Sequence, residues 1–140
     1  MRRYIVIFTF LLFLAICFGC VNLWSNGKDL GGGIYLVEHN IKLHGIDYYY
    51  SESSSTGLIV IPLNVKEYNY NDKWIIAKNQ EDNKTYYWII DKEHDFRKLS
   101  LTILDEQLKK HIIGPLDSLQ FMEEMKKHNI NMKLKDVNEK

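Results

Sequence analysis

Two segments of this chain echo one another across Glu81-Asp82-Asn83-Lys84: Lys73-Trp74-Ile75-Ile76-Ala77-Lys78 and Tyr87-Trp88-Ile89-Ile90-Asp91-Lys92. No other feature constrains the fold as tightly. β-Branched and aromatic side chains suit a pleated surface, and a short polar connection joins antiparallel neighbours. If Glu81–Lys84 closes a hairpin, symmetric pairing sets Ala77 opposite Trp88 and Ile75 opposite Ile90. A small residue then faces an indole, which is how cross-strand packing accommodates one. The other face carries Trp74, Ile76, Tyr87 and Ile89. A hairpin that is apolar on both faces belongs at the centre of a sheet and covered on both sides. Two copies express packing and not a repeat architecture.

The same reading extends to either side of the echo. Ile34–Val37, Ile41–Leu43, Ile46–Tyr50, Leu58–Ile61 and Val65–Tyr70 are short apolar or aromatic runs and predict further strands. Turn signals stand between them at His44-Gly45, Ser51–Gly57 and Asn71-Asp72. Connections this short make sequential strands antiparallel neighbours, so a meander is the economical topology. Pro62 cannot donate to a ladder and belongs at a strand end, a bulge or an edge. After Asp95 the period changes. Leu101, Leu104, Leu108 and Ile112 keep helical spacing up to Gly114-Pro115. A second helix is predicted from Asp117, which with Gln120 approximates a capping box, and Asn129 ends it. Phe121, Met122 and Met125 form its apolar stripe. The tail from Asn131 is polar and expected to fray. The expected fold class is therefore α+β: an antiparallel β-meander sheet with one or two C-terminal helices packed on it. One domain spans residues 34–130, and residues 131–140 form a polar tail.

Ahead of this domain, Met1-Arg2-Arg3 is a positive n-region and Tyr4–Phe18 an almost unbroken apolar run. Fifteen residues rise ~22 Å as a helix, short of the ~30 Å hydrocarbon core of a bilayer. The run therefore reads as a signal-peptide h-region, with residues 1–19 as the signal. It closes on Phe18-Gly19-Cys20. A small residue immediately before a cysteine resembles the lipobox of bacterial lipoproteins, which implies cleavage before Cys20 and a lipid, palmitate-bearing, on that cysteine. Positions minus three and minus two hold Cys17 and Phe18, where the lipobox prefers Leu and a small residue. Cys17 follows bulky Ile16 and is the poorer acceptor. The alternative is an uncleaved anchor, because Val21, Leu23 and Trp24 extend the apolar stretch towards spanning length. Either way the positive end stays cytoplasmic and the domain lies outside. Residues 20–33 read as lipidated cysteine and flexible tether. Gly31-Gly32-Gly33 disfavours regular structure and lacks the following Lys-Ser or Lys-Thr of a phosphate loop, so it is a linker or entry turn. Val21–Gly33 extended reaches at most ~45 Å.

Composition narrows the function classes. Lys+Arg and Asp+Glu each number 18. Two of the basic residues, Arg2 and Arg3, fall in the signal, leaving 16 against 18 in the rest. A near-neutral domain gives no electrostatic reason to bind nucleic acid. Both cysteines, Cys17 and Cys20, precede the domain, so it contains no disulfide.

Trp74–Lys78, Tyr87–Lys92 and Gly114-Pro115-Leu116 followed by Phe121 resemble a family of small bacterial lipoproteins of unknown function. In that family an Ile-Ile-Ala-Lys strand precedes a Tyr-Trp-Ile-Ile-Asp-Lys strand, and a Gly-Pro-Leu turn leads into a short C-terminal helix. The likeness covers much of residues 33–130 and departs over the longer stretch Lys98–Ile113. It implies lipid anchoring and supplies no catalytic residue.

The remaining residues give little chemistry. His39 and His44, five apart in a strand region, fall on opposite faces. The chain has no His-Glu-x-x-His motif, and no metal or other cofactor is expected. Asp91-Lys92-Glu93-His94-Asp95 has acid–base ingredients but reads as a solvated hairpin end. His111 and His128 fall near helix C-termini, where an imidazolium is favoured. Ser51, Ser53, Ser54 and Ser55 lack a nucleophile elbow, and Glu81-Asp82 is turn chemistry. Aromatics are the surplus, with nine Tyr and three Trp. Tyr49 faces away from Tyr48 and Tyr50, so one face presents at least one ring to solvent, a glycan or a protein unless both are covered. The preferred reading is a sheet core whose phenol hydroxyls reach water at its edge. The expected function is that of a lipid-anchored envelope protein in the bacterial cell membrane or outer membrane. Its domain would lie outside the cytoplasm and bind or scaffold an envelope protein or glycan without catalysing a reaction. The alternatives are an envelope-polymer hydrolase with a dispersed site drawn from Asp47, Asp91 or His94, and an immunity- or inhibitor-type lipoprotein.

Overall fold

A computed structural model describes residues 27–40, 42–50, 57–93 and 101–139. The signal and Cys20, the serine loop and His94 lie outside the described residues.

The class is α+β, with the meander divided between two antiparallel sheets. β1 (Gly27–Gly31), β2 (Ile34–Asn40), β3 (Leu43–Tyr48) and β4 (Leu58–Ile61) lie side by side in chain order. β5 (Val65–Tyr70), β6 (Trp74–Glu81) and β7 (Lys84–Asp91) form the middle of the second sheet. β8 (Ile112–Leu116) flanks β7 and β9 (Lys135–Asp136) flanks β5, in the order β8-β7-β6-β5-β9. The division falls at Pro62-Leu63-Asn64, where Pro62 follows the last residue of β4 and Asn64 has φ +74°. The helices are α1 (Leu101–Lys110) and α2 (Ser118–Lys127).

The echo forms the central hairpin in the expected register, with Ala77 opposite Trp88 and Ile75 opposite Ile90. Asp82 and Asn83 both have positive φ, +48° and +63°, as a two-residue type I′ turn demands. Both faces of the hairpin are covered. Ile75, Ala77 and Ile90 join Leu30, Ile34, Leu36, Ile46, Tyr48 and Ile61 of the first sheet in one core, with Leu104 and Leu108 of α1. Trp74, Ile76 and Ile89 meet Phe121 of α2 and Ile130 in a second core. The layers are thus sheet, sheet and helix.

α2 begins at the expected capping box. Asp117 Oδ1 accepts from the backbone N–H groups of Leu119 and Gln120, and Gln120 Oε1 accepts from Asp117 N–H. It ends in a Schellman turn: Ile130 N–H donates to Met125 O and Asn129 N–H to Lys126 O, with Asn129 at φ +53°.

Four segments differ from expectation. His44-Gly45, expected as a turn, lies inside β3 and pairs with Glu38 and Val37 of β2. Residues 27–31, expected in the tether, are β1, and Gly31–Gly33, all at positive φ, make the turn into β2. Leu30 is fully buried and anchors that strand. Ile112, expected at the end of a helix, lies in β8, where it pairs with Ile90, and Gly114-Pro115 continues that strand. Gly114 passes so close to Trp88 that a Cβ there would stand 2.5 Å from the indole. The tail, expected to fray, packs. Met132 and Leu134 join the outer core, and β9 pairs with Glu67 and Tyr68 of β5. Two apolar side chains outweigh the polar average of the segment.

Candidate functional site

The β2–β3 hairpin sets Tyr35 opposite Asp47 and Val37 opposite Gly45. Ile46 and Tyr48 face the core, so alternation turns Asp47 to the face away from the second sheet. A bulge between Glu38 and Asn40 interrupts the register at His39. His39 crosses the gap that Gly45 leaves, where an added Cβ would lie 3.1 Å from His39 Nε2 and 3.2 Å from Leu63 Cδ2. The imidazole thereby reaches Asp47, its Nε2–H donating to Oδ2 at 2.9 Å.

Asp47 is only 2% exposed, although it lies on the outer face. Its Oδ1 has no hydrogen-bond partner among the described residues. Burial pushes the carboxyl above the usual aspartate range, opposed by the charge and hydrogen bond of His39. Beside it, burial and then the Asp47 charge push the Tyr49 phenol up. The Tyr49 ring meets Tyr35 edge-on at 5.6 Å. A buried carboxylate orienting a partly exposed imidazole is an arrangement that holds and passes a proton.

Among the dispersed residues, Asp47 and Asp91 are not brought together. Asp91 closes β7 on the other sheet, and its Oδ1 accepts from Glu93 N–H. Glu81 and Asp82 form the hairpin turn. His44 faces away from His39, with its Nδ1 buried and lacking a hydrogen-bond partner among the described residues. His128 caps α2, its Nε2 3.2 Å from Glu124 Oε2 and its ring 5.1 Å from Trp74. His111 follows the last residue of α1. No group of three or more His, Cys, Asp or Glu suited to a metal occurs among the described residues. Sequence reasoning missed the His39–Asp47 pair. The signal available was the β2–β3 register, which places both near Gly45.

A second feature is a groove of about 370 Å³ between β4, α1 and β8. Leu58, Ile59, Trp88, Leu108, Ile112 and Pro115 give it an apolar lining, with Asp105 and Lys109 as its charges. Trp88 is fixed there by Nε1–H donating to Asn79 Oδ1 at 2.8 Å.

These layers and surfaces define a small α+β protein built as two packed antiparallel sheets with a helix on the outer face. The chain belongs to the family described as Protein of unknown function (DUF3997), whose model matches residues 33–138. No curated protein and no solved structure matches it.

Proposed function

We propose that the protein is a lipid-anchored envelope protein whose domain lies outside the cytoplasm and acts by binding another envelope component. The observation that carries this reading is the junction of leader and fold. Phe18-Gly19-Cys20 closes an apolar run, and β1 opens at Gly27, seven residues beyond the cysteine. The apolar groove beside β4 supplies a surface for contact, since apolar patches rimmed by polar groups are sites of association. The test is mass spectrometry of the mature N-terminus, with membrane fractionation of Cys20→Ala. A mature chain starting at acylated Cys20, and loss of the variant from membranes, is the expected result. Unchanged membrane association with residues 1–19 retained would favour the uncleaved anchor.

One observation favours a second reading, an envelope-polymer hydrolase. The His39–Asp47 pair has the form of the base-orienting half of a hydrolytic site. Cleavage of envelope polymer by the wild type, abolished in a folded His39→Ala variant, would establish it. Wild-type protein without such cleavage would remove it.

A further inference from the structure

Alternation along β1 puts a charge where the fold would place an apolar side chain. Lys28 stands opposite Leu36, a residue of the inner core, and two places before fully buried Leu30, so it shares their inward face. Its side chain crosses to the second sheet. There Nζ donates to Tyr68 Oη at 2.8 Å and lies 5.2 Å from the Tyr68 ring centroid and 5.4 Å from that of Tyr70. Tyr68 and Tyr70 stand opposite Ala77 and Ile75 on β6, their rings stacked at 6.4 Å. A second ammonium, Lys92 Nζ, lies 5.4 Å from the Tyr70 centroid and donates to the Leu30 carbonyl at 2.5 Å. These side chains open on a groove of about 340 Å³, lined by Lys28, Tyr68 and Tyr70 and, at β9 and just beyond it, by Lys135, Asp136 and Glu139. That volume is in the range of small-molecule sites.

The groups that fix Lys28 are neutral: a phenol oxygen and two ring faces. The Tyr68 hydrogen bond pushes the Lys28 pKa up, so the ammonium stays charged. No carboxylate pairs with it among the described residues. Two of its three N–H groups are left to donate. Tyr68 is in a similar position. Its oxygen accepts from Lys28, an ammonium has no lone pair to take the phenol proton in return, and the residue is 6% exposed. That proton is left to donate into the groove. We propose that this groove binds one oxyanion borne on a polyol, a phosphate ester or a uronate, with Lys28 and Tyr68 donating to the anionic oxygens and Asp136 and Glu139 accepting from hydroxyl groups. A preset cation with a neutral donor beside it is the arrangement that recognises an oxyanion through charge-assisted hydrogen bonds. The two carboxylates accept only, so they repel a polyanion and suit a ligand that carries its single charge at one end. The groove is remote in sequence from Cys20 and needs no lipid, so the inference goes beyond the proposed anchoring and does not depend on it.

The test titrates the full chain, isotope-labelled and in detergent micelles, with glycerol phosphate, glucuronate, glucose and inorganic phosphate, and follows amide shifts by nuclear magnetic resonance. Saturable shifts at Lys28, Tyr68, Tyr70 and Asp136 are expected with glycerol phosphate or glucuronate, and the tighter of the two identifies the source of the oxyanion. Glucose should give none. Lys28→Met and Tyr68→Phe should each weaken binding about tenfold or more, as loss of a hydrogen bond to a charged group does, with circular dichroism unchanged. Lys126→Met, an exposed position on α2, should leave binding as it is. If Lys28→Met fails to fold, Tyr68→Phe carries the test, since it removes one oxygen and keeps the ring. No saturable shift with either organic anion overturns the inference and leaves Lys28 as an inward charge that keeps other strands off the β1 edge. Inorganic phosphate bound as tightly as glycerol phosphate overturns it as well, because the carboxylates then select nothing, and so does an equal loss in Lys126→Met. Cys20→Ala separates the two proposals: it should leave these shifts unchanged whether or not the lipid anchor is real.

Discussion

Asp47 has no direct advantage for stability in its ionised form. Its carboxyl is held above the usual 3.8 by burial, so the folded chain keeps that proton to higher pH than the unfolded chain does. The group's contribution is therefore present in acid and lost as pH rises through the folded value. Asp47→Asn keeps an acceptor for His39 Nε2–H and removes the charge. Its melting temperature is expected to match wild type near pH 3.5 and to exceed it increasingly towards pH 7, following the linkage between proton binding and folding. A constant difference across that range would show that Asp47 does not titrate in the fold. Gly114 makes the opposite kind of demand. At φ +150° and with Trp88 Cε3 2.5 Å from an added Cβ, Gly114→Ala must move the indole and its bond to Asn79. Overpacking of that kind costs ~1–3 kcal/mol, measurable by urea unfolding. The Asp47 partnership was hard to read from sequence because His39 sits at a bulge, where face alternation fails. Gly114 reads as a helix stop because its neighbour is proline.

At the scale of elements, legibility followed the density of large apolar residues. The β6–β7 hairpin could be placed to the residue because both faces carry Trp or Ile and its turn needs two positive φ angles. α2 could be placed at both ends because Asp117, Gln120 and Asn129 have cap chemistry. β1 was missed because Leu30 is its one large apolar residue among Gly, Lys and Asp. β9 was missed because it is short and charged, and is held by what precedes it. Deleting residues 130–140 should therefore destabilise the whole domain: burial of Ile130 alone is worth ~1.5–3 kcal/mol, with Met132, Leu134 and the β9 pairing in addition. A truncated chain with an unchanged melting temperature would show that the tail frays after all.

At the scale of the molecule, β6 and β7 belong to both cores, so neither core can open alone without exposing one face of the same hairpin. Phe121 stacks on Tyr87 at 4.9 Å in the outer core. Phe121→Ala should cost ~3–5 kcal/mol and lower the transition reported by near-ultraviolet and far-ultraviolet circular dichroism alike. Separate transitions would mean that the layers fold independently. The crossing from one sheet to the other at Pro62-Leu63-Asn64 left no mark in hydrophobic periodicity, which records faces and not which sheet a strand joins. The early start of β1 has a consequence for where such a molecule works. With an acyl chain on Cys20, the leash to Gly27 would measure at most ~25 Å, about half the span that the longer tether allowed. A domain on so short a lead would graze the lipid surface and could not patrol the wall beyond it, so its partners would have to come down to the bilayer.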